Sequence, residues 1–79
     1  MFYNLSMANF KNNHLNESLI NINKALNINP TQTEYLYLKA SIYLTKENYN
    51  EAVPLYNTVI SKNPDNITAH INLAKAYEN

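Results

Sequence analysis

The chain repeats its own pattern at a spacing of 34 residues. The segment from Ala25 to Pro30 returns as the segment from Val59 to Pro64, and Glu17-Ser18-Leu19 returns as Glu51-Ala52-Val53. A fixed period of this length is typical of proteins built from stacked helical units, each of which buries its apolar side against its neighbours. The period therefore indicates a surface that holds other molecules, and it argues against a reaction centre.

Length and charge narrow the classes of function. The 79 residues make at most one domain, and six lysines balance six acidic residues without a single arginine. This neutral composition predicts no nucleic-acid partner and no attraction to an anionic membrane. No apolar run has the length of a membrane span, and the first residues do not resemble a signal peptide. We therefore expect a cytoplasmic protein with no membrane partner.

The spacing of apolar residues and the positions of proline predict five helices. They lie at about residues 1–12, 16–28, 31–45, 50–62 and from 65 or 66 to the end of the chain. Asn16 and Asn50 are the expected starts of the second and fourth helices, and Thr31 is the expected N-cap of the third, as part of a capping box. Asp65 or Asn66 is expected to cap the fifth helix. Connections of a few residues then make each pair of helices an antiparallel hairpin.

Small and large residues recur in the same register as the period. Small side chains allow helices to approach closely, and they stand at Ser6, Ser18, Ala25, Ala40, Ala52 and Ala74. Large residues are expected to fill the space between these contacts, and they stand at Phe2, Leu5, Tyr43, Tyr56 and Tyr77.

In these residues the chain resembles the tetratricopeptide repeat family, whose pattern combines an aromatic residue, Leu-Gly, Tyr, Ala, a second aromatic residue and a closing Pro. The resemblance implies an all-α fold in which antiparallel helix hairpins stack as a right-handed solenoid of five helices. It also implies one domain over residues 1–79, with repeats at about 1–32 and 33–66 and a half repeat at 67–79.

The chain departs from the family pattern at several positions. Asn9 stands where the family has Tyr, and Lys39 stands where it has Leu. The glycine between paired helices is replaced by Asn13 in the first unit and by Glu47 in the second. Asn tolerates a left-handed backbone better than Glu does, so the second turn carries the larger conformational cost. Lys39 is read as a side chain that packs its stem and extends its ammonium into water, with a groove cation as the alternative.

The resemblance also implies a function, because the first helix of each repeat in this family faces an inner groove that holds an extended or helical peptide. By register, the groove residues are Tyr3, Met7, Phe10, Tyr37, Ser41, Leu44, Thr68, Ile71 and Lys75. This set is mostly apolar and aromatic. We therefore expect a protein scaffold that binds a short apolar peptide or helix, with little dependence on charge.

A chaperone-tail adaptor is disfavoured. The family's carboxylate clamp holds an acidic C-terminal tail with Lys, Asn and Arg side chains. By register, its positions fall on Tyr3, Met7, Leu38, Thr68 and Asn72. None of these residues is a cation.

The third unit contains only a first helix, which suggests a face with less shelter around Leu73, Ala76 and Tyr77. Two hypotheses account for it. Either the chain is a segment of a longer array, or this face pairs with a second copy in a homodimer.

No residue pattern predicts catalysis. There is no cysteine, the two histidines have no ligand spacing, and no serine has a base and an acid beside it. Glu17 and Glu51 occupy equivalent helix starts and do not form an acid–base pair. We therefore expect no enzyme activity, no cofactor and no metal.

Overall fold

The computed structural model describes residues 1–78 of the chain. These residues form five α-helices, which confirms the predicted all-α architecture. Their bounds are α1 Phe2–Lys11, α2 Leu15–Ile28, α3 Thr33–Thr45, α4 Tyr49–Lys62 and α5 Ile67–Glu78. Each helix packs against the next one along the chain, and α3 also contacts both α1 and α5. The odd-numbered helices therefore form one layer with α3 at its centre.

The turns inside the two hairpins have the same backbone conformation. Asn13 and Glu47 have φ values of 62° and 64°, in the left-handed region that usually favours glycine. In the first turn, the backbone N–H of His14 donates to the carbonyl of Asn9, and the N–H of Asn13 donates to that of Phe10. This pair of hydrogen bonds is a Schellman motif, which satisfies carbonyls that the end of α1 leaves free. The left-handed backbone therefore occurs at the two positions, Asn13 and Glu47, where the family pattern has glycine.

The helices begin within two residues of the predicted positions, but the cap assignments for α2, α3 and α4 are wrong. No side chain caps α2, α3 or α4, which begin after His14, Gln32 and Asn48. Thr31 lies before the cap position of α3, and Asn16 lies inside α2. The fifth helix behaves as expected, because the side-chain oxygen of Asn66 accepts a hydrogen bond of 3.0 Å from the backbone N–H of Ala69.

Two of the residues predicted as caps accept long-range hydrogen bonds instead, Asn16 through its side chain and Thr31 through its backbone carbonyl. The Nζ of Lys46 donates to the side-chain oxygen of Asn16 at 2.9 Å, and the Nζ of Lys62 donates to the carbonyl of Thr31 at 3.0 Å. Each contact joins residues about one repeat apart in sequence. The two contacts therefore tie the first hairpin to the second.

Small residues line the helix contacts within both hairpins. Ser6 meets Ser18 between α1 and α2, and the equivalent residues Ala40 and Ala52 lie on α3 and α4; all four are fully buried. Tyr56 is the largest of the fully buried side chains among the described residues. The prediction that small residues allow close helix approach is confirmed at these positions.

Three residues do not have the burial that the pattern predicts. Leu5 and Tyr77 were expected to fill interior space, yet they are 49% and 67% exposed. Ala74, the equivalent of Ser6 and Ala40, is also exposed. The side of α5 that carries Ala74 and Tyr77 has no helix packed on it within residues 1–78.

Candidate functional site

An apolar cavity lies between α1 and α3. Its volume is about 290 Å³, and its lining residues are Tyr3, Met7, Phe10, Lys11, Tyr37, Leu38 and Ser41. The residues from α1 recur at intervals of three or four, so they lie on one side of that helix. Five of the nine predicted groove residues meet here: Tyr3, Met7, Phe10, Tyr37 and Ser41.

A polar cavity adjoins the first one and shares Tyr3 and Tyr37 with it. Its volume is about 340 Å³, and its lining residues are Tyr3, Thr33, Glu34, Tyr37, Asn63, Asn66 and Thr68. It lies beside the first turns of α3 and α5. Thr68 is the one predicted groove residue that lines this cavity alone.

The other three predicted groove residues line neither cavity. Leu44 is half-buried and packs against the core around Tyr56, whereas Ile71 and Lys75 lie on exposed parts of α5. The predicted groove set lacks Lys11, Glu34 and Leu38, which the helix packing brings to the cavity walls. Register gave Leu38 only as a position of the carboxylate clamp. Lys11 directly follows Phe10 and Glu34 lies three residues before Tyr37, and this proximity was the only signal for these two residues.

A polar network joins α3, α4 and α5 behind the groove. The hydroxyl of Tyr56 is 3.0 Å from that of Ser41, and the amide nitrogen of Asn72 donates to the hydroxyl of Tyr37 at 3.0 Å. The rings of Tyr37 and Tyr56 meet edge to face with centroids 5.9 Å apart. These contacts hold Tyr37 in a defined orientation between the two cavities.

Burial controls the ionisation of Tyr56. Desolvation raises the pKa of Tyr56 above its ordinary value of 10.0, although the hydrogen bond with Ser41 opposes that shift. The phenol therefore stays protonated at neutral pH.

The ring of Tyr3 stacks beside that of Tyr35, with centroids 4.9 Å apart and planes tilted by 31°. Burial raises the pKa of Tyr3 above 10.0, and the negative charge of Glu34 raises it further. The carboxylate of Glu34 thus makes the electrostatic potential more negative at the Tyr3 hydroxyl.

A third depression lies at the other end of the chain, between the start of α4 and the end of α5. Its volume is about 580 Å³, and Ala76 and Tyr77 contribute to its wall. Of the three residues predicted for self-association, Ala76 is only 4% exposed, Leu73 packs partly against the core, and Tyr77 is exposed. The expectation of an open face therefore fails at Ala76, because α4 covers its side of α5.

No group of three or more histidine, aspartate or glutamate side chains within residues 1–78 is placed to hold a metal ion. The ring nitrogen Nε2 of His70 lies 2.9 Å from the carbonyl oxygen of Pro64. In the same part of the chain, no helix is both long enough and apolar enough to cross a membrane.

Two family models match the chain. One described as TPR repeat matches residues 40–79, and one described as tetratricopeptide repeat matches residues 1–32. No curated protein shows significant similarity to the chain.

Proposed function

Because the chain belongs to the tetratricopeptide repeat family, we propose that it holds a short, largely apolar peptide or helix in the groove formed by α1, α3 and α5. Repeats of this family generally mediate protein–protein interaction, and the family is typically a non-catalytic scaffold.

The apolar cavity is the observation that carries the proposal. Met7, Phe10 and Leu38 provide its hydrocarbon surface, and the rings of Tyr3 and Tyr37 close its sides. A concave apolar site with a few fixed polar groups is the usual form of a binding site. Met7 has an unbranched and polarizable side chain that adapts to different anchor residues. An aliphatic or aromatic side chain of a peptide is therefore the expected occupant.

The proposal is tested with peptides selected from a random displayed library against the intact chain. Binding of a selected peptide is measured by fluorescence anisotropy for the wild type, Met7→Glu and Ile20→Glu. Met7 lines the apolar cavity, whereas Ile20 is an exposed apolar residue of α2 outside both groove cavities. We expect Met7→Glu to weaken binding at least about tenfold, because a carboxylate would be buried against an apolar side chain.

Ile20→Glu is the matched control, since it places the same charge on the opposite layer. Circular dichroism melting shows whether each variant remains folded. Equal loss of binding in both folded variants, or no loss in Met7→Glu, would contradict the assignment of the groove.

Self-assembly is a second candidate function, and the exposure of Tyr77 favours it. Tyr77 is 67% exposed at the position where Tyr43, its equivalent in the second unit, packs against the core around Tyr56. Exposed aromatic rings of this kind are enriched at protein interfaces. A second copy that covered Tyr77 would remove this ring from water.

Light scattering over a wide range of protein concentration tests self-assembly. A mass that rises with concentration in the wild type and stays monomeric in Tyr77→Glu supports it. A monomeric wild type at every concentration would rule it out.

A further inference from the structure

We propose that the polar cavity recognises a cationic group, a lysine or arginine side chain, placed next to the apolar anchor of the bound peptide. The inference rests on the proposed function, because it describes the ligand of the same groove. It also departs from the expectation that charge contributes little to binding.

The lining of the polar cavity carries one negative charge and no positive charge. Glu34 is its one ionisable residue besides the two tyrosines, and no lysine or histidine lines it. The remaining walls carry hydroxyl and amide oxygens from Thr33, Asn63 and Thr68, which accept hydrogen bonds from an ammonium or guanidinium group. One carboxylate with several neutral acceptors is complementary to a single cation.

Aromatic rings also line the polar cavity next to this carboxylate. Tyr3 and Tyr37 lie between the two cavities, and Tyr35 stacks on Tyr3. The face of an aromatic ring attracts a cation, and a nearby carboxylate adds to that attraction. Burial raises the pKa of Tyr3, and the negative charge of Glu34 raises it further, so Glu34 already acts on the Tyr3 hydroxyl. The local potential at this junction therefore favours positive charge.

Helix direction gives the ligand an orientation. The helices α1 and α3 run in the same direction, because α2 follows α1 and precedes α3 in the chain and successive helices are antiparallel. Glu34 lies in the first turn of α3, whereas Lys11 is the last residue of α1 and lines the apolar cavity. The groove thus has an acidic end and a basic end, and a peptide cation is attracted to one and repelled by the other.

The first turns of α3 and α5 also line the polar cavity, and their free N–H groups would favour an anion. Two side chains reduce this effect. Glu34 places its carboxylate in the first turn of α3, and Asn66 accepts the hydrogen bond of the Ala69 N–H at the start of α5. The net preference of the cavity is therefore for a cation.

The test is a parallel selection of one random displayed peptide library on the wild type, Glu34→Gln and Glu17→Gln. Glu17 is the matched control, since it lies in the first turn of α2, has the same charge and lines neither groove cavity. We expect lysine or arginine to be enriched at a fixed distance from the apolar anchor on the wild type and on Glu17→Gln, and not on Glu34→Gln.

A synthetic peptide from the wild-type selection then gives the magnitude. Changing its basic residue to glutamine should weaken binding to the wild type about three- to fivefold, as expected for a partly exposed ion pair, and should have no effect on Glu34→Gln. The difference between the two peptides in their affinity for the wild-type protein should decrease as salt is added.

The outcomes separate the two proposals. Peptides that depend on Met7 but show no basic preference, or an acidic preference, would overturn the inference and leave the proposed groove intact. Equal enrichment on Glu34→Gln would also overturn it. A selection that yields no peptide dependent on Met7 would contradict the proposed function, and the inference with it.

Discussion

Ser6 and Ser18 exchange hydrogen bonds across the contact between α1 and α2. The hydroxyl of Ser6 donates to the carbonyl of Ser18 at 2.7 Å, and the hydroxyl of Ser18 donates to the carbonyl of Ser6 at 2.8 Å. Both residues are fully buried. The equivalent contact of the second hairpin is made by Ala40 and Ala52, so small size is common to both contacts while the hydrogen bonds occur in the first alone.

The small size of the Ser6 side chain should therefore contribute more to the free energy of unfolding than its hydrogen bond does. We expect Ser6→Ala to lower the free energy of unfolding by about 1 kcal/mol or less, because one modest hydrogen bond is lost and alanine favours the helix. Ser6→Leu should cost about 3 kcal/mol or more, since the larger side chain forces α1 and α2 apart. Urea unfolding measures both. Ala8→Leu, at an exposed position of α1, is the control and should change little. A larger loss for Ser6→Ala than for Ser6→Leu would contradict the size argument.

The left-handed turn at Glu47 stores conformational strain. Glu47→Gly should raise the free energy of unfolding by about 1 kcal/mol, because glycine adopts a positive φ without a steric penalty. Asn13→Gly should give a smaller gain, since asparagine tolerates this region better. Asn12→Gly is the control, because Asn12 has φ −92° and gains nothing from glycine. Thermal melting checks the order, and a gain at Asn12 equal to that at Glu47 would refute the explanation.

The N-cap of α5 is the only helix start among the described residues at which a side-chain cap bond forms. Asn66→Ala should cost about 1 kcal/mol, because it leaves the backbone N–H of Ala69 without its acceptor. Asn50→Ala should be neutral or slightly stabilising, since Asn50 lies inside α4 and does not cap it. Urea unfolding of both variants makes the comparison. Equal losses would show that Asn50 contributes to the start of α4 after all.

Stability should fall at alkaline pH because of Tyr56. Its pKa in the folded chain is raised above 10.0, so the unfolded chain loses this proton first as the pH rises. The stabilisation from the protonated phenol is complete below pH 10.0 and is lost as the pH rises through the folded pKa. Tyr56→Phe should therefore show a shallower decline of stability above pH 10.0. Urea unfolding as a function of pH measures this slope, and an unchanged slope would contradict the prediction. Tyr56→Phe also loses the hydrogen bond to Ser41, which lowers stability at every pH by about 1 kcal/mol.

Much of the fold followed from the 34-residue period, since each unit repeats one hairpin. The buried contact of Ser6 with Ser18 was predictable because close helix approach requires small side chains. The left-handed turns at Asn13 and Glu47 were predictable because the pattern places glycine there. These features depend on adjacent residues in the chain or on the size of a side chain, and the amino-acid sequence gives both directly.

Pairwise partners were decided by the packing of the helices. Asn9 replaces a family tyrosine, and the structure pairs it with Asn21, whose side-chain nitrogen donates to the Asn9 oxygen at 2.8 Å. Asn16 was read as a cap, yet it accepts a hydrogen bond from Lys46 in the next unit. Asparagine serves equally well in a cap, a turn or a side-chain pair, so its partner depends on which groups the helices bring within reach.

The sequence by itself determined the 34-residue period, the all-α fold class, the close contact between Ser6 and Ser18, and five of the residues that line the apolar cavity. The tertiary structure alone decided that Leu44 lies outside both groove cavities, that Ala76 is buried, and that Glu34 lies beside Tyr3 in a polar cavity. The physical reason is one of range. Periodicity specifies which side of a helix is apolar, whereas the depth of a side chain and the charge around it depend on how neighbouring helices pack.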